Sequence, residues 1–124
     1  MGNPVTHWQI ITKDPDGASA FYQDLFGWKV DVANGLNYRM VDTQSDGQGV
    51  SGGIWPSPPE EHSLVQLFVD VDDVDAAVEK ATKLGAAVVM PKQVLPDGDE
   101  MAIIHDQFGI TFGLWRKRQQ PNPD

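Results

Sequence analysis

Along this chain, short runs rich in apolar residues give way to apolar positions at helical spacing, then to short runs again, and the whole succession is written twice. Residues 5–12 carry Val, Ile and Trp and read as a strand. Asp14-Pro15 ends it and opens a helix. Asp14 can accept from the first unbonded N–H groups, and Pro15 loses nothing at a first helical position. Ala18, Phe21, Tyr22 and Leu25 recur at helical spacing and predict one apolar face. Gly27 stops the helix. Strands follow over 28–32, 36–41 and 50–55, with Asn34-Gly35 as a hairpin turn and a polar loop through Asp46-Gly47.

A connector over 56–63 follows, and its Pro56-Ser57-Pro58-Pro59 cannot continue a sheet. The order then repeats. A strand over 64–71 leads to a helix marked by Val74, Ala77, Val78, Ala81 and Leu84 and closed by Gly85. Strands over 87–90, 101–105 and 110–115 are separated by turns at Pro96-Asp97-Gly98 and Phe108-Gly109. Asp73 answers Asp14, Ala77 answers Ala18 and Leu84 answers Leu25; Gly113-Leu114-Trp115 answers Gly53-Ile54-Trp55. An internal repeat sets the architecture. The prediction is an α+β fold of two tandem βαβββ modules, residues 5–55 and 64–115, within one domain of residues 1–124 with a polar tail over 116–124. The modules are expected to form a curved mixed sheet around a cavity, with the helices on the outer face.

Composition narrows the partners. A net charge of −9 would repel phosphate, which argues against nucleic acid. No apolar run approaches the roughly 20 residues of a membrane helix, so no membrane partner is expected. The chain has no cysteine, which removes disulfides, thiolate ligands and a thiol nucleophile, and suits a cytoplasmic location. Ser51, Ser57 and Ser63 lack a nucleophile-elbow context, and Gly47-Gln48-Gly49 has no helix after it to hold phosphate. Asp70, Asp72, Asp73 and Asp75 lack the glycine and distal glutamate of a calcium loop and read as a solvated strand-to-helix turn.

The doubled unit, with Asp14, Ala18, Phe21-Tyr22, Leu25 and Gly27 in one copy and Val71-Asp72-Asp73-Val74-Asp75-Ala76-Ala77 in the other, resembles the vicinal oxygen chelate superfamily. This is the group of glyoxalases, bleomycin resistance proteins and extradiol dioxygenases. The resemblance spans residues 5–115 and implies ligand positions for metal-using members on the first and last strands of each module. Here those positions are His7 and Gln66, then Gly53 and Gly113. Both glutamates of the metal-using pattern are thus glycine. Two neutral donors are too few for a zinc, nickel or iron site, so no cofactor is expected. A divalent metal belongs only to an alternative, a lyase, isomerase or dioxygenase using His7. His105 is a weak substitute ligand, since Asp106 at the turn is its only acidic neighbour.

Strand side chains alternate faces. If His7 points inward, so do Gln9, Gln66, Phe68, Trp55, Thr111 and Trp115, while Trp8 and Ile10 lie under the helix. These seven form the expected ligand-binding set, with Gly53 and Gly113 leaving space between them. Each also admits a packing role, and the sheet face can equally serve a homodimer. No catalytic residue is identified. The expected function is binding of a small molecule, aromatic or cationic, by a cavity of tryptophans and a few polar groups.

Overall fold

The computed structural model describes residues 2–32, 38–43, 48–57, 62–96 and 98–117. The Asn34-Gly35 and Asp46-Gly47 turns, Pro58-Pro59, Asp97 and the end of the tail lie outside them. The chain divides into two compact units, one of residues Thr6–Leu67 and one that starts at Phe68 and includes Val5. The division runs through the fifth strand. The Asp70 N–H donates to the Pro4 carbonyl at 2.9 Å, which ties the first residues to the second unit.

The first unit contains β1 (Val5–Thr12), α1 (Pro15–Phe26), β2 (Lys29–Asp31), β3 (Arg39–Asp42) and β4 (Gly52–Pro56). Their order across the sheet is β2-β3-β4-β1. β1 and β4 run parallel, with Gln9 opposite Gly53. β3 and β4 run antiparallel, with Met40 opposite Gly53. Local chemistry starts and stops α1 as its sequence predicts. Asp14 accepts from the Gly17 N–H at 3.0 Å, Pro15 takes the first helical position, and Gly27 closes the helix at φ 72°.

The inward face of α1 keeps Ala18 and Tyr22 of the four expected residues but not Phe21 and Leu25. Phe21 and Leu25 are 57% and 56% exposed, whereas Ser19 is buried and Tyr22 half-buried. The reason is an aromatic cluster. Tyr22 stacks on Phe26 and on Trp28, and Trp28 lies 5.2 Å from Trp8 of β1. That cluster turns the 15-18/19-22 stripe toward the sheet in place of the 21/25 stripe. Ser19 sits in it without an unmet donor, because its hydroxyl gives its proton to the Pro15 carbonyl at 2.7 Å.

The second unit contains the remainder of β5 (Leu64–Asp70), then α2 (Val74–Lys83), β6 (Ala87–Val94), β7 (Glu100–His105) and β8 (Thr111–Arg116). Strand order is β5-β8-β7-β6, the counterpart of the first unit. β5 and β8 are parallel, with Phe68 opposite Gly113. Asp73 caps α2 by accepting from the Ala76 N–H at 3.0 Å. Phe68, Val74, Ala102, Ile103 and Leu114 form the core of this unit. β6 runs past Met90, where sequence suggested a stop, because Pro91 sits on the last strand in the order and beside register shifts. A proline there costs no ladder bond. Each unit is thus a βαβββ module of an α+β fold. Among the described residues no helix is long and apolar enough to cross a membrane.

Candidate functional site

Alternation along β1 sends its side chains two ways. Trp8 joins the cluster beneath α1, and its indole N–H donates to the Val50 carbonyl. His7 and Gln9 point to the other face. There they meet Tyr38, the residue just before β3. His7 Nε2 lies 3.1 Å from the Tyr38 hydroxyl, and that hydroxyl donates to Gln9 Oε1 at 3.3 Å. A phenol has one proton. With that proton on Gln9, the imidazole is the donor at Nε2, and this nitrogen has no lone pair to offer. The neighbouring Arg39 holds the start of β3 to α1 through an ion pair with Asp16, its Nε 3.2 Å from Oδ1.

Tyr38 also explains Gly53. A Cβ built on Gly53 would overlap the Tyr38 hydroxyl and ring. The glycine therefore seats a side chain where an open space was expected. Trp55, two residues on, lies against Tyr38 with ring centroids 5.6 Å apart and planes at 50°. Both titratable groups are pushed toward neutrality by burial. Desolvation lowers His7 below its ordinary 6.5 and raises Tyr38 above its ordinary 10.0. At neutral pH the pair is an uncharged imidazole and an un-ionised phenol.

Of the expected residues, His7, Gln9 and Trp55 therefore come together around Tyr38. Gln66 is 4% exposed, and its buried Oε1 finds no hydrogen-bond partner among the described residues. In the second unit, Phe68 is fully buried where a Cβ of Gly113 would stand, and meets Trp115 edge-to-face at 5.7 Å. Thr111 lies at the far end of β8, paired across to His105, whose Nδ1 is 3.1 Å from Thr111 Oγ1. His105 thus shares the Thr111 face. Tyr38 is the residue that sequence reasoning missed. Its one signal was a glycine in the middle of a paired strand, which calls for a bulky neighbour. Among the described residues, no three His, Cys, Asp or Glu side chains come together to hold a metal ion.

Comparison with known proteins agrees with this architecture. The family profile of the Glyoxalase/Bleomycin resistance protein/Dioxygenase superfamily matches residues 5–114. CFP32 of Mycobacterium tuberculosis (strain CDC 1551 / Oshkosh), whose name assigns it provisionally as a glyoxylase, is 33% identical over 94% of this chain and 46% of its own length. The anthracycline biosynthesis protein DnrV of Streptomyces peucetius is 31% identical over 83% of this chain and 44% of its own. The chain spans about half the length of these two curated relatives. Among solved structures, hypothetical protein BH1468 of Bacillus halodurans C-125 superposes with a TM-score of 0.72 at 12% identity, covering 99% of this chain and 100% of that one. That likeness is one of fold. The βαβββ repeat and the profile match together show that the chain belongs to the glyoxalase/bleomycin resistance protein/dioxygenase superfamily.

Proposed function

We propose that the chain binds a small aromatic molecule and does so without a resident metal ion. One observation carries this reading: the place of a Gly53 side chain is filled by Tyr38, whose hydroxyl engages His7 Nε2. A divalent ion would need three or four converging donors, normally with a carboxylate among them. At the four positions that matter, this chain has His7, Gln66 and two glycines, and the imidazole nitrogen is already committed. The residues present do not fit a resident ion. A ring-lined site with a few hydrogen-bonding groups suits a flat ligand. The name of one relative, an anthracycline biosynthesis protein, agrees with an aromatic compound. The same proposal includes a homodimer and a cytoplasmic location.

The competing reading is a metal-dependent lyase, isomerase or dioxygenase using His7. It draws on the glyoxylase names of relatives. Native mass spectrometry of the full chain before and after treatment with a chelator separates the two. An organic molecule retained after chelation supports metal-free binding. A molecule lost on chelation and regained only with an added divalent ion contradicts it.

A further inference from the structure

Both copies of the repeat place glycine at the same point of their last strand, and in both an aromatic ring lies where the missing Cβ would be. The ring is Tyr38 over Gly53 and Phe68 over Gly113. Each ring touches the tryptophan two residues further on, at 5.6 Å in the first copy and 5.7 Å in the second. As packing, the two arrangements are equivalent. They differ in what the ring carries. Phe68 is fully buried and asks only for hydrocarbon around it. Tyr38 brings a hydroxyl into a part-buried place, and two polar residues at alternate positions of β1, His7 and Gln9, are there to meet it. In the second copy Phe68 faces Gly113 across the paired strands just as Gln9 faces Gly53 in the first. The first copy thus holds three hydrogen-bonded polar side chains in a place that the second packs with a phenylalanine.

We infer that Tyr38 is the ligand-recognising group of the first module. Its hydroxyl, oriented by His7 and Gln9, hydrogen-bonds a polar edge atom of a neutral planar molecule that stacks on Trp55, while the Phe68–Trp115 pair of the second module packs the fold. With its proton on Gln9 and one lone pair facing His7, the hydroxyl keeps a lone pair that can accept, so the edge atom is a phenolic O–H or a ring N–H donor. Its partners His7 and Gln9 are uncharged at neutral pH, which favours a neutral ligand over the cationic one that the overall charge suggested. This inference rests on the small-molecule reading above and names the chemistry of the same site.

The test compares two probes of the same shape, 2-naphthol and 2-methylnaphthalene, titrated into the full chain and followed by the Trp55 indole resonance in NMR. The wild-type chain is expected to bind 2-naphthol about tenfold more tightly, the increment of one well-placed hydrogen bond. Tyr38→Phe should bring the ratio close to one. Gly53→Ala should lower the ratio as well, because it pushes the hydroxyl off its seat while keeping it in the chain. Thermal melts of both variants check that they fold. A ratio unchanged in Tyr38→Phe overturns the inference and leaves the small-molecule reading standing. Failure of both probes to bind the wild-type chain overturns the two together.

Discussion

His7 Nε2 lies 3.1 Å from the hydroxyl of Tyr38, and both groups are held neutral by burial. This pair places a titratable group near each end of the working pH range, and their effects on stability have opposite signs.

The acid limb belongs to His7. Its folded pKa lies below the 6.5 of the unfolded chain. The unfolded state therefore binds more protons at mildly acidic pH. Stability should be full above pH 6.5 and should decline as pH falls through and below that value. The alkaline limb belongs to Tyr38, whose folded pKa lies above 10.0. Its contribution should be full below pH 10.0 and should be lost as pH rises beyond it. Urea unfolding across pH should show both limbs. His7→Gln should flatten the acid one and Tyr38→Phe the alkaline one. A profile unchanged in both variants contradicts the burial of the pair.

The two terminal glycines should not respond alike to alanine. At Gly113 the new methyl meets the ring of Phe68, which is fully buried and has nowhere to go. Overpacking of this kind costs about 1–3 kcal/mol. At Gly53 the methyl meets the hydroxyl end of Tyr38, whose half-buried ring has to swing aside as a whole about its Cα–Cβ bond. Gly113→Ala should therefore lower the urea midpoint more than Gly53→Ala does. The reverse order would mean that Tyr38 is the more tightly packed ring.

The helix starts give a simpler expectation. Asp14 and Asp73 each accept one backbone N–H at 3.0 Å. Asp14→Ala and Asp73→Ala should each cost about 1 kcal/mol. They act on different helices, so the double variant should lose about the sum. A loss well beyond it would show that the two modules unfold through shared contacts.

These sites also mark what could be read in advance. Asp14-Pro15, Gly27 and Asp73 announce the helices because capping is local chemistry, decided within four residues of chain. The face that His7 shares with Gln9, opposite Trp8, follows from the period of a strand. The face of α1 could not be read in the same way. Two apolar stripes compete along that helix, and the winner depends on ring contacts with Trp8 of β1 and with Trp28 just past the helix end, which helical periodicity does not reveal. Gly53 shows a similar limit. A glycine in a sequence records only a missing side chain, whereas what fills its place arrives from another strand. Tyr38 fills it here, so the space expected between the tryptophans is in this module the seat of a ring.

The central claim is that the site works without a metal, and metal titration tests it most directly. The purified full chain is stripped with a chelator, dialysed against zinc, nickel, manganese or iron(II) in turn, and assayed for metal by mass spectrometry with plasma ionisation. The account predicts that no ion is retained at a stoichiometric level. One tightly bound ion per wild-type chain, lost on His7→Ala, would contradict it.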